Sequence, residues 1–180
     1  MTIRPYTKED LKEIVRVINS ILTEECWPHY YPNKWDEERV RSEFRPMNGY
    51  KDPMFLVSEA DGQITGLIAG HDLDSFIETE IPHLRPRINE FGLCGSRAFY
   101  QRDIIIDPAN QRGFLGLRLF LDLRKHASET GYKKLVTRTP PLNSRGIRFF
   151  TKLGYVKLFE DANPERVYFV MDMAGRHPNR

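Results

Sequence analysis

The stretch Ile104-Ile105-Ile106-Asp107-Pro108-Ala109-Asn110-Gln111-Arg112-Gly113-Phe114-Leu115-Gly116 decides the fold. A β-branched run ends at Asp107-Pro108. A polar loop with Gly113 and Gly116 follows, and then a leucine-rich helical pattern begins. This reads as a strand, a loop with unpaired main-chain N–H groups, and a helix N-terminus. The first turn of a helix holds donors with no intrahelical partner and about +0.5 of an elementary charge, so the joint suits a phosphate or diphosphate.

Working outward, Phe99 to Asp107 is the strand, and Gly116, Leu119, Phe120, Leu123 and Ala127 share one face of a helix that ends near Gly131. Lys134 to Thr139 is a second strand, stopped by Pro140-Pro141. A strand–helix–strand crossover of this kind demands a parallel pair. Asn143 then caps a helix with Ile147, Phe150 and Leu153 on one face. Gly154 followed by Tyr155 is a Schellman-type ending. Tyr155 to Glu160 and Arg166 to Met173 form a closing pair of strands.

Toward the N-terminus, Ile3 to Tyr6 reads as a short strand, and Thr7 with Asp10 as a capping box. Leu11, Ile14, Val15, Ile18, Ile21 and Leu22 follow at helical spacing. Residues 26–34 are aromatic and proline-broken, a loop, and a second helix runs from Asp36 to Arg45. Met54 to Ala60 and Gln63 to His71 flank Asp61-Gly62, a hairpin signal. Residues 74–97 show little periodicity and read as a long insertion, a binding loop or lid over the substrate. The fold class is α/β (α+β): a mixed, mostly antiparallel sheet of about six to seven strands with one parallel pair and helices on both faces. One domain spans 1–174, and the polar tail 175–180 is expected to be disordered.

The composition is ordinary, with 40% hydrophobic and 29% charged residues and a net charge of +2 over 180 residues. That balance, with no dense Lys/Arg block, gives no reason to expect nucleic acid as a partner. No apolar run approaches the ~20 residues of a spanning helix, and the N-terminus lacks the apolar core of a secretion signal. We therefore expect a cytoplasmic protein with no membrane partner, with a homodimer allowed. Cys26 and Cys94 fit no metal spacing and read as reduced thiols. His29, His71 and His83 are scattered, so no metal is expected.

Element order and loop together resemble the GNAT superfamily of N-acetyltransferases. The likeness spans nearly the whole chain and is specific in two places. The family's acyl-CoA loop, Gln/Arg-x-x-Gly-x-Gly/Ala, corresponds to Gln111-Arg112-Gly113-Phe114-Leu115-Gly116, with Phe114 in place of the first glycine. The family's late helix, Asn-x-x-Ala-x-x-x-Tyr-x-Lys-x-Gly-Phe, is matched at Asn143, Lys152, Gly154 and, conservatively, Tyr155. Phe150 stands where the family has a tyrosine that protonates the leaving thiolate.

The resemblance implies acetyl-CoA as co-substrate, its diphosphate held by main-chain amides of Gln111, Arg112, Gly113, Phe114, Leu115, Gly116 and Leu117. The pantetheine arm would pair with the main chain of Ile104, Ile105 and Ile106, with Asn143 and Phe150 touching it from the other side. It implies direct transfer of an acetyl or short acyl group to a primary amine of a small molecule. Degenerate acyl-CoA binding without turnover, or a peptide amine as acceptor, are the alternatives.

Strand alternation puts Tyr100, Arg102, Ile104 and Ile106 on one face and Gln101, Asp103 and Ile105 on the other. On that reading the usual base positions hold no acid. The catalytic candidates are then Tyr100, relaying through water, and Glu78, with Glu80 and Glu90 as other acids of the long segment, while Asp103 reads as a ladder or cap partner. Arg102 would favour an acceptor that carries a carboxylate as well as an amine. Trp27, Tyr30 and Tyr31 are the aromatic candidates for the acceptor site.

Overall fold

The computed structural model describes residues 1–22, 27–44, 49–111, 113–162 and 165–173. Strands β1 (Thr2–Pro5), β2 (Met54–Ala60), β3 (Gln63–Asp72), β4 (Ala98–Ile106), β5 (Lys134–Thr139), β6 (Val156–Ala162) and β7 (Glu165–Asp172) make one sheet in the order β1-β2-β3-β4-β5-β7-β6. Only β4 and β5 run parallel, as the crossover through the intervening helix requires. The β2–β3 turn is Asp61-Gly62, with φ of 52° and 75°, the left-handed pair of a type I′ hairpin.

The helices are α1 (Leu11–Ile21), α2 (Trp27–Tyr30), α3 (Glu37–Phe44), α4 (Leu73–Thr79), α5 (Arg85–Asn89), α6 (Leu115–Glu129) and α7 (Ser144–Leu153). Helices α6 and α7 cover one face of the sheet: Leu119, Phe120, Leu123 and Phe150 pack on Ile68, Phe99 and Phe169. The other face has two clusters. Ile14, Val17 and Ile18 of α1 and Val40 of α3 lie on Val57 and Leu67. Phe76, Ile77 and Ile88 of α4 and α5 lie on Tyr100, Val136 and Tyr168. The start of α1 is fixed by the Thr7–Asp10 box, in which the Thr7 N–H donates to the Asp10 carboxylate at 2.8 Å. Gly154 (φ 97°) ends α7, and the Tyr155 N–H reaches back to the Phe150 carbonyl at 3.1 Å.

Three expectations are corrected by the packing. Residues 74–97 are no loose lid: Leu73, Phe76, Ile77, Ile81, Leu84, Ile88 and Leu93 are all buried as a wall of the core. Helices of one or two turns, with Pro82 and Pro86 in their first turns, carry too few repeats for a period to be read. Residues 26–34, read as loop, contain the short helix α2.

The third correction governs the site. Ala69 faces Asp103 and Gly70 faces Gln101, so Arg102 is an extra residue, a β-bulge. Phe99, Ile104 and Ile106 therefore face α6 and α7, whereas Tyr100 and Ile105 face the opposite side. Tyr100 does not share a face with Ile104 and Ile106, because the bulge resets the alternation between them. Gly70 sits against this bulge: a Cβ there would meet Phe99 Cε1 at 2.5 Å and the Tyr100 carbonyl at 2.7 Å. Pairing of β4 with β5 stops at Gln101–Thr137, just where the bulge bends the strand away. From Arg102 onward, the β5-side edge of β4 has no strand partner among the described residues.

Candidate active site

Two cavities open along that free edge. The first, a groove of about 310 Å³, runs between the end of β4 (Ile104, Ile105, Ile106), the loop and first turn of α6 (Gln111, Gly113, Phe114, Gly116, Leu117) and the start of α7 (Asn143, Gly146, Phe150). The Arg118 N–H is the first of α6 to reach a carbonyl outside the helix interior, that of Phe114 at 2.9 Å. The amides before it stand ahead of the helical ladder, at the positive end of the helix dipole. Gln111 ties the loop in place: its Nε2 donates to the Ile106 carbonyl at 3.1 Å, and its Oε1 accepts from Arg145 of α7.

Phe114 occupies the N-cap of α6 with φ −85°, so its Cβ costs no left-handed strain. Its ring is 79% exposed at the groove mouth rather than packed inward. Asn143 caps α7, accepting from the Gly146 N–H at 3.0 Å and donating to Thr139 Oγ1 at 2.8 Å. A Cβ at Gly146 would lie 2.4 Å from Asn143 Nδ2, so a larger residue there requires the Asn143 side chain to shift. Arg112 falls outside the described residues, as do Cys26 and the tail 174–180.

The second cavity, about 180 Å³, lies on the other side of the same edge and shares Ile21, Trp27, Ile104, Ile105, Asn143 and Phe150 with the groove. Its walls are the end of α1, Trp27 and Tyr31, Glu43 and Phe44 of α3, the bulge of β4, and Arg138 and Thr139 of β5. The two cavities thus meet at Phe150 and Ile104.

Charge in the second cavity is concentrated around the bulge. The Arg102 guanidinium is only 11% exposed and is held by three carboxylates: Glu80, which accepts from Nη1, Glu43 at 3.3 Å and Asp103 at 3.4 Å. Glu80 also accepts from the Tyr50 hydroxyl at 2.7 Å and lies 3.9 Å from Arg138. Arg102 is therefore already satisfied by protein, which corrects the expectation that it receives a substrate carboxylate. Burial pushes the Asp103 carboxyl above the ordinary carboxylate range, opposed by neighbouring Arg102. Its side chain keeps 36% of its surface open, facing the cavity.

The other candidates separate. Tyr100 lines the cavity, but its ring is stacked on Phe76 at 3.8 Å, and burial raises its hydroxyl well above the usual tyrosine range. Glu78 is absent from the lining; it is 67% exposed and paired with Arg85 at 3.1 Å. Glu90 is likewise turned outward onto Arg87. Helical phase places Glu78 and Glu80 in different directions, and α4 was not legible as a helix. Trp27 and Tyr31 line the cavity, whereas Tyr30 lies behind it, beneath the Arg166 guanidinium. Arg138, Arg166, Trp35 and Phe44 complete the wall and were not anticipated. Phe150 packs on Phe149, Tyr155 and Phe169, and the Tyr155 hydroxyl is spent on Gln101 Oε1 at 3.0 Å.

Among the described residues, no group of three His, Cys, Asp or Glu side chains is placed to hold a metal ion. No described helix is long and apolar enough to cross a membrane. Cys94 is a free thiol whose pKa burial raises, away from both cavities.

Residues 19–155 match the acetyltransferase (GNAT) family. The chain belongs to that family. Acyl-CoA-dependent N-acetyl transfer, with acetyl-CoA as co-substrate, is accordingly its activity. No curated protein matches the sequence. Several solved structures share the fold at low identity. An N-acetyltransferase from Staphylococcus aureus Mu50 superposes with a TM-score of 0.71 at 16% identity, over 96% of this chain and 98% of that one. The PaiA N-acetyltransferase of Thermoplasma acidophilum, in complex with coenzyme A, gives 0.66 at 17% identity, over 95% and 98%. YncA, a putative acetyltransferase from Salmonella typhimurium with acetyl-CoA, gives 0.67 at 19% identity, over 100% and 97%. Within the GNAT frame, Phe114 stands at the loop, Phe150 at the junction of the cavities and the carboxylate cluster at the bulge.

Proposed function

We propose that this GNAT protein transfers the acetyl group of acetyl-CoA directly to the primary amine of a small molecule, with Asp103 as the general base. The observation that carries the reading is the meeting of the two cavities along one unpaired strand edge. A thioester lying along that edge and an amine in the second cavity would reach each other at Ile104 and Phe150.

The residues present fit the acyl carrier. The first turn of α6 supplies amide donors for a diphosphate, and Gly113, with nothing within 4 Å of a Cβ built there, leaves the backbone open to close approach. The free edge of β4 supplies main-chain N–H and C=O groups for the amides of the pantetheine arm. Gln101 lines the acceptor cavity, and its buried Nε2 has no hydrogen-bond partner among the described residues. Acetyl-CoA supplies an activated acyl carbon on a thiol leaving group.

An amine of pKa ~10 must lose a proton before it can attack. Asp103 faces the acceptor cavity, and its raised pKa makes it a stronger base than an ordinary carboxylate. The ammonium gives its first proton to solvent; as the neutral amine nitrogen attacks the acyl carbon, a C–N bond forms, the C–S bond breaks and the second N–H proton passes to the ionised Asp103. A main-chain N–H of the 104–106 edge would hold the carbonyl oxygen as it gains charge. Phe150 has no proton to give, so the sulfur leaves as thiolate, which a thiol of pKa ~8.5 tolerates. The cavity, about 180 Å³, falls below the roughly 300–1,000 Å³ of drug-sized sites, and this favours a small acceptor over a polypeptide.

The test is thiol release from acetyl-CoA with a pool of small primary amines. The wild type is expected to release thiol only when amine is present, and Asp103→Asn to bind acetyl-CoA with unchanged affinity but turn over about 10²–10⁴-fold more slowly. Binding of acetyl-CoA without amine-dependent thiol release would overturn transfer to a small primary amine.

A further inference from the structure

Resting on that reading, the geometry points to an acceptor that is an apolar α-amino acid or a close analogue, its carboxylate held by Arg166 and the Tyr31 hydroxyl while its amine faces Asp103. The lining of the acceptor cavity is polarised. Around the bulge, Glu43, Glu80 and Asp103 gather on Arg102, with Arg138 near Glu80, so carboxylates outnumber guanidiniums. That part of the wall favours an ammonium on arrival. Elsewhere on the lining Arg166 stands apart from this cluster and makes no ion pair among the described residues. Its guanidinium reaches the Glu165 carbonyl at 2.7 Å and the Tyr31 hydroxyl at 3.3 Å, and lies over the Tyr30 ring at 5.3 Å.

Each of those contacts leaves the charge uncompensated. A backbone carbonyl, a hydroxyl oxygen and an aromatic face are neutral partners; of the carboxylates nearby, Glu165 accepts from the Tyr30 hydroxyl at 3.2 Å, and Asp161 stands opposite Arg166 on β6. The guanidinium fork retains N–H donors suited to a planar carboxylate. The Tyr31 oxygen accepts from Arg166, which leaves its own proton to donate to the same anion. The wall around them is apolar: Trp27 stacks on Tyr31, and Trp35 meets Tyr31 edge-on. A lone amine leaves Arg166 unanswered, and a polar zwitterion leaves the aromatic wall unused. An amino acid with an apolar side chain satisfies both, together with the acidic cluster.

The experiment compares acceptors in pairs: L-phenylalanine against phenethylamine and L-leucine against isoamylamine, with wild type and Arg166→Gln. The wild type is expected to use each amino acid with a kcat/KM about 10–100-fold above its decarboxylated partner, the range of one charge-assisted hydrogen-bonded contact. Arg166→Gln should erase that preference by raising the KM of the amino acids about 10–100-fold more than that of the plain amines, with the KM of acetyl-CoA as the control. Equal use of both partners by the wild type, or a preference that survives Arg166→Gln, overturns the anion site and leaves acetyl transfer standing. A variant equally impaired on every acceptor shows a structural role for Arg166 and overturns the inference too. Absence of thiol release with any amine removes the proposed acyl transfer and this acceptor with it.

Discussion

Asp103 acquires its position from one inserted residue. Without the bulge at Arg102, strict alternation would put Asp103 and Tyr100 on opposite faces; with it, both line the acceptor cavity. The pH dependence follows. A base must be ionised to accept a proton, so the acceptor kcat/KM falls as pH drops through the Asp103 pKa. That acid limb should lie above the ordinary Asp value of about 3.9 and disappear in Asp103→Asn, with the slower rate of the variant flat across the same range. A pH–rate profile of both proteins checks it. This residue was hidden in the sequence because a bulge has no signature in hydrophobic alternation: Gly70, the glycine pressed against it, lies on another strand. The sequence points to Glu78 only through its place in an unassigned segment, and its pairing with Arg85 at the surface shows how little a segment says about direction. The loop residues 111–117, apart from Arg112, were legible because glycine, strand end and helix start are all local features.

At the level of elements, the cavities depend on how helices are anchored to the sheet edge. Helix α7 begins at Asn143, whose cap also faces both cavities. Gly146→Ala forces the Asn143 side chain to move. It should cost about 1 kcal/mol of stability, the worth of an N-cap, and weaken coenzyme A binding at the same time. Calorimetry together with denaturant melts measures both. Helix α4 supplies Phe76, wholly buried against Tyr100. Phe76→Ala should lower stability by about 3–5 kcal/mol, read from urea unfolding, and raise the acceptor KM as Tyr100 loses its support. The long helices and the hairpin were readable from periodicity and from Asp61-Gly62. Helices α4 and α5 were not, because their burial comes from packing against β4 and β5, a contact between segments distant in sequence.

Across the whole molecule, the first strand and first helix are clamped to β2. Arg4 bonds Asp10 and Glu59, both at 2.8 Å, and this guanidinium holds the Asp10 carboxyl below its usual range. A depressed folded pKa adds stability above the unfolded value, and that contribution is lost as pH falls through the folded one. The Tm should therefore drop in acid below about pH 4, and Asp10→Asn, less stable at neutral pH, should lose less over that interval. The overall topology was predictable because the β4–α6–β5 crossover and the flanking hairpins leave few sheet orders open. The junction of the two cavities was not, since it arises where β4 and β5 part. That junction is the centre of the account: carrier and acceptor occupy one continuous cleft together, and the amine attacks without a protein-bound acyl group. Initial rates measured against acetyl-CoA at several fixed acceptor concentrations test this most directly. Intersecting double-reciprocal lines are the predicted result; parallel lines, the pattern of an acyl-enzyme formed before the acceptor binds, would contradict it.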